Sequence, residues 1–122
     1  MSILIKNITL NNEQTDILIE NNQFSKIQPN ISIKTDEVID GTDKLALPAF
    51  YNTHTHAGMT LMRGYSDDLP VMQWLEEKIW PFEKNLTEDD VYIGTKLACL
   101  EMIKTGTVFF NDMYWFFDGV AK

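Results

Sequence analysis

The chain has 122 residues, and its 18 acidic against 10 basic side chains give a net charge of −8. No Lys/Arg cluster interrupts that balance, which argues against binding to a nucleic-acid backbone. The alternating amino terminus Met1-Ser2-Ile3-Leu4-Ile5-Lys6-Asn7 lacks the apolar core of a signal peptide, and no run approaches the ~18 apolar residues of a membrane helix, so the expectation is a cytoplasmic protein with no membrane partner.

Residues 2–10 read as a strand, Asn11-Asn12-Glu13 as a turn, and Thr15–Glu20 with Phe24–Gln28 as a hairpin across Asn21-Asn22-Gln23. Asparagine-rich breaks between β-branched runs carry that reading. Ile31-Ser32-Ile33 and Val38-Ile39-Asp40 extend the β-pattern, and Gly41 turns the chain ahead of Leu45-Ala46-Leu47. Residues 1–47 are thus an all-β leader, short for a stable sandwich because so small a sheet buries little apolar area against its chain entropy.

Pro48 fits the first position of a strand over 48–54, where its missing N–H costs no central ladder bond. That strand leads into Thr53-His54-Thr55-His56-Ala57-Gly58, which holds both histidines of the chain. Side chains at i and i+2 of a strand share a face, so the two imidazoles converge. Spacing alone leaves two readings open: a shared metal ion, or two exposed histidines on an edge strand.

Beyond them, Met59–Arg63 reads as a short turn or helix. Pro70 is the expected first residue of a helix through Ile79, with Pro81 as its stop. Thr87 and Asp90 have capping-box spacing, and Glu88 and Asp89 suit the positive end of the next helix. Val91, Leu97, Ala98, Leu100 and Ile103 form its expected core stripe, Cys99 reads as core filler, and Gly106 is the expected terminator. Thr107–Asp112 is a second strand, and Asp118-Gly119 opens another helix. Strand, helix, strand at this spacing describes a parallel βαβ unit. Met59, Met62, Met72 and Met102 read as packing residues.

The run Pro48-Ala49-Phe50-Tyr51-Asn52-Thr53-His54-Thr55-His56-Ala57-Gly58-Met59-Thr60-Leu61-Met62-Arg63-Gly64 resembles the first-strand signature of the amidohydrolase superfamily. The likeness is to deaminases of 5′-methylthioadenosine and S-adenosylhomocysteine and to triazine chlorohydrolases. It continues through Asp67-Asp68-Leu69-Pro70, Trp74-Leu75-Glu76-Glu77, Ile79-Trp80-Pro81-Phe82-Glu83, Leu86–Tyr92, Glu101–Thr107 and Asp112-Met113-Tyr114. The resemblance implies an α/β fold: strands of a small β-sandwich over 1–47, then the first βαβ portion of a (β/α)8, TIM-like barrel over 48–122. Such a barrel takes about 250 residues, so both parts are expected to be incomplete and the chain alone inactive.

The same resemblance implies one divalent metal ion, with zinc the expected identity and His54 and His56 two of its ligands. It implies a small-molecule substrate, an adenine nucleoside, deaminated hydrolytically with release of ammonia. Glu83 matches by motif position the glutamate that receives ribose hydroxyls, a task suited to a carboxylate's two acceptor oxygens. Trp74 is either a wall of the substrate pocket or one member of a helix stripe. The remaining ligands and the proton-transfer groups have no counterpart here, so the catalytic residues stay unknown. Arg63 with Asp67-Asp68 is expected to hold a loop by ion pairing, and Asp112 either to support the metal ligands from behind or to anchor a loop. The alternatives are another ring substrate (guanine, cytosine or a chlorotriazine), or a catalytically incomplete module that associates, as a homo-oligomer, through its open sheet edge.

Overall fold

Asn11-Asn12 and Asn21-Asn22 all take positive φ, between 51° and 67°. Asparagine tolerates that region, and two such residues in succession twist a tight hairpin to match its strands. They join β1 (Ser2–Leu10), β2 (Glu13–Glu20) and β3 (Gln23–Gln28) into an antiparallel meander in the computed structural model, which describes residues 1–122. The chain divides into two compact units, Met1–Pro48 and Ala49–Lys122.

In the first unit β4 (Glu37–Asp40) adds parallel to β1, giving the order β3-β2-β1-β4. Leu4, Leu18 and Ile31 form its buried cluster. Between the pairs Ile5↔Ile17 and Ile8↔Thr15, Lys6 and Asn7 stand opposite the single residue Asp16, which is a β-bulge. Asp16 is only 3% exposed. Its Oδ1 accepts the N–H of Asn7 and its Oδ2 that of Ile31, each at 2.9 Å. The segment Ile31-Ser32-Ile33 is therefore not a strand: Ile31 is pinned to a carboxylate rather than to a ladder, and Ile33 is exposed. Leu45 makes a lone bridge to Thr9.

In the second unit β5 (Phe50–Thr55) pairs in parallel with β6 (Thr107–Asp112). Strand β5 begins two residues later than Pro48, at Phe50, whose N–H reaches the Gly106 carbonyl at 2.9 Å. A 3₁₀ segment spans Ala57–Met62. The next helical run is continuous from Val71 to Glu83, as α1 (Val71–Trp74), a π-turn over Leu75–Ile79 and α2 (Trp80–Glu83). Pro70 is its N-cap rather than its first residue, and Pro81 does not stop it. The π-turn shifts the hydrogen-bond register just ahead of Pro81, with Trp80 N–H bonded to the Leu75 carbonyl. That widening relieves the clash a proline ring makes with the carbonyl four residues back.

Thr87 caps α3 (Glu88–Lys104) with the reciprocal pair expected of Thr87 and Asp90, and Gly106 follows with φ +82°. The stripe of α3 is narrower than expected. Val91 and Ala98 are buried with Gly94 and Thr95, whereas Leu97, Leu100 and Ile103 are 37%, 56% and 73% exposed. Cys99 is half-buried. Met62, Ile79, Val91 and Tyr114 form the core, with Met59 packed against it, while Met72 is exposed on α1. A Cβ on Gly94 would stand 2.5 Å from the Gly58 carbonyl oxygen, so α3 and the 3₁₀ segment meet backbone to backbone. The short α4 (Phe117–Ala121) closes the chain.

Candidate functional site

The imidazoles do converge. His54 lies on β5, His56 just past its end, and their Nε2 atoms are 3.3 Å apart with ring planes perpendicular at 89°. The Nδ1 of His56 is 2.7 Å from the Met113 carbonyl. A carbonyl can only accept, so Nδ1 carries the hydrogen, and Nε2 is the ring nitrogen that can bind an ion. A tetrahedral ion binding two imidazoles at 2.0–2.1 Å sets their nitrogens about 3.3–3.4 Å apart. The observed separation fits that edge, and both rings are solvent-accessible. No cluster of three or more His, Cys, Asp or Glu side chains converges in the chain, so these two are the pair it can offer an ion.

Asp112, at the end of β6, accepts the Ala57 N–H at 2.8 Å through Oδ1, tying the start of the 3₁₀ segment to the strand. The loop-anchoring role expected of it is thus in place, and its Oδ2 is buried without a partner. Arg63 does not pair with Asp67-Asp68. Its guanidinium makes a two-pronged bridge to Glu101 on α3, Nη1 to Oε1 at 3.0 Å and Nη2 to Oε2 at 2.7 Å, because α3 presents a carboxylate at the reach of the fork. The hydrogen bond to Arg63 lowers the Glu101 pKa.

A cavity of about 560 Å³ opens beside His56, lined by Met59, Trp74, Glu83, Asp112, Tyr114 and Trp115 among others. Glu83 and Trp74 therefore share a cavity with one of the two histidines. Trp74 lines the cavity and packs on the core cluster, while its indole N–H donates to the Ser66 carbonyl at 2.9 Å. Tyr114 was visible in the sequence only as part of a motif. It is 6% exposed, and its hydroxyl is buried with no hydrogen-bond partner. Burial first, then the Glu83 carboxylate and more weakly Asp112, push its pKa well above the usual phenol value of 10.0. The Met113 carbonyl could not have been found from side-chain chemistry, since any residue would present it.

The second unit is thus a mixed α/β arrangement, a parallel βαβ unit with paired imidazoles at the end of its first strand. Residues 45–122 match the Amidohydrolase family, and the chain belongs to that family. It is 53% identical over 122 residues to a 5′-deoxyadenosine deaminase of Methanocaldococcus jannaschii, covering 98% of this chain and 29% of the relative. It is 49% identical to the 5-methylthioadenosine/S-adenosylhomocysteine deaminase 1 of Archaeoglobus fulgidus, with the same coverage. Among solved structures, an adenosine deaminase from Xanthomonas campestris with bound zinc superposes with a TM-score of 0.84 at 30% identity, over 98% of this chain and 30% of that one. The chain thus spans about three-tenths of the length of the relatives it matches. No helix is long and apolar enough to cross a membrane.

Proposed function

We propose that this chain is the N-terminal portion of a zinc-dependent aminohydrolase in which His54 and His56 hold the ion. The complete enzyme acts on an adenine nucleoside: water adds at C6, the C6–N bond breaks, and the products are the 6-oxo nucleoside and ammonia. The observation that carries this reading is the 3.3 Å spacing of the two Nε2 atoms, with one imidazole fixed by the Met113 carbonyl. The names of the relatives, deaminases of 5′-deoxyadenosine and of 5-methylthioadenosine/S-adenosylhomocysteine, support the substrate class. When bound, such an ion supplies the Lewis acidity that makes water a nucleophile near neutral pH.

The chain's own residues hold and position. Glu83 accepts two hydroxyls of the ribose diol, one on each carboxylate oxygen. Trp74, with its N–H already satisfied, gives the cavity an apolar wall that limits water around the bound ring. Residues 1–47 are the leader of a β-sandwich and residues 48–122 the first βαβ of a (β/α)8 barrel. The exposed Leu97, Leu100 and Ile103 of α3, and Tyr51 and Phe109 of β5 and β6, are the surfaces that further barrel elements cover.

The test is ammonia release by the intact, zinc-loaded protein offered 5′-deoxyadenosine, 5′-methylthioadenosine and S-adenosylhomocysteine, with guanine, cytosine and a chlorotriazine in parallel. Turnover is expected with the adenine nucleosides. Zinc-loaded protein that acts on none of them overturns the proposal, and turnover of the triazine alone moves it to the other ring substrates.

A further inference from the structure

Unit 2 keeps one polar side chain that is more than nine-tenths buried, faces a cavity and has no hydrogen-bond partner: the Tyr114 hydroxyl. Burying a hydroxyl unpaired is unfavourable, and phenylalanine would fill the same volume without that cost. The ring is also fixed in place. A Cβ on Gly58 would fall 2.7 Å from its Cε1, its ring centroid lies 6.4 Å from that of His56 with the planes tilted by 54°, and Val91 and Ile79 pack in the same cluster. A phenol held this firmly has its O–H aimed by the core rather than by solvent.

Glu83 lines the same cavity from the end of α2. Burial first, and then the nearness of its carboxylate, raise the pKa of the phenol, although no hydrogen bond of ordinary length joins the two. We infer that Tyr114 is a positioning residue for Glu83: its O–H donates to the carboxylate when a ribose fills the cavity, leaving the remaining lone pairs of Glu83 aimed at the 2′- and 3′-hydroxyls. A carboxylate has about four acceptor sites, so one bond from the phenol and two from the diol can be made together. The phenol stays protonated through the neutral range, because burial and the nearby carboxylates oppose its ionisation. Tyr114 thereby sets a preference for nucleosides with an intact diol. This inference rests on the nucleoside reading above.

The experiment compares Tyr114→Phe, Glu83→Ala and the double variant in the intact, zinc-loaded protein, each with an adenine nucleoside and its 2′,3′-dideoxy counterpart. Tyr114→Phe is expected to raise KM for the ribo substrate about tenfold with kcat within about twofold, as for loss of one bond to a charged acceptor. KM for the dideoxy substrate should be unchanged, and the Tyr114→Phe effect should vanish in the Glu83→Ala background. A Tyr114→Phe loss that is equal for both substrates, absent for both, or retained without Glu83 overturns the inference. In those cases a ribo-selective loss in Glu83→Ala leaves the nucleoside reading standing. If Glu83→Ala fails to discriminate the two sugars, the diol reading falls and this inference falls with it.

Discussion

The two units treat their buried polar groups in opposite ways. In the β-leader both oxygens of the buried Asp16 carboxylate are hydrogen-bonded, one to the Asn7 N–H in the bulge and the other to the Ile31 N–H. In the second unit three buried side-chain oxygens have no partner: Thr95 Oγ1, Asp112 Oδ2 and the Tyr114 hydroxyl. Two of these three belong to residues lining the cavity beside His56. Satisfied polar groups specify and stabilise a fold, whereas unsatisfied ones are tolerated where chemistry or a ligand needs them. Asp112 and Tyr114 therefore bring unpaired polar atoms to the cavity beside His56, whereas the buried carboxylate of the leader is bonded through both oxygens.

The comparison can be broken most readily at Asp16. Asp16→Ala leaves the buried Ile31 N–H and the part-buried Asn7 N–H without their acceptor and should cost about 3 kcal/mol, read from hydrogen exchange at the β1 and β2 amides. A cost below about 1 kcal/mol would mean that water satisfies the bulge as well as the carboxylate does. The opposite sign is expected at Thr95, which is 4% exposed. Thr95→Val keeps the shape and removes an unpaired hydroxyl, so thermal unfolding should be unchanged or gain up to about 1 kcal/mol. A loss there would show that Thr95 has a partner and is no liability.

The smallest effect concerns the cap of α3. Hydrogen bonds from the Thr87 hydroxyl and backbone N–H hold the Asp90 carboxyl below its ordinary value of 3.8. A depressed carboxyl favours the folded state above its unfolded pKa, and that contribution is lost as pH falls through the lower folded value. Helicity followed by circular dichroism from pH 5 downward should therefore decline slightly more in the wild type than in Asp90→Asn, the difference appearing only below about pH 4. Parallel curves would mean that the carboxylate adds nothing to the cap.

Features fixed by neighbours in sequence were readable before any coordinates. The paired asparagines announced the turn at 11–13 and the hairpin at 21–23, Thr87 and Asp90 announced the start of α3, and the two-residue spacing of His54 and His56 announced their convergence, because a strand's period is two whatever surrounds it. What failed depended on distant parts of the chain or on backbone detail. Pro81 read as a stop because nothing in side-chain pattern reveals a π-turn that frees its position. Leu97, Leu100 and Ile103 read as buried because their apolar character is local while the surface that covers them is not. Arg63 found Glu101, 38 residues away, in preference to the acids beside it in sequence. Tyr114 gained its role from Gly58 and Glu83, neither of which marks it at the level of spacing.

The central claim is that His54 and His56 together hold a metal ion, and the most direct measurement is the zinc content of the intact protein by elemental analysis, wild type beside His56→Ala. About one ion per chain is predicted for the wild type, falling at least tenfold in the variant after dialysis against a weak chelator, with Met113 left without its imidazole partner. Equal zinc in both proteins, or none in either after loading, would contradict the account.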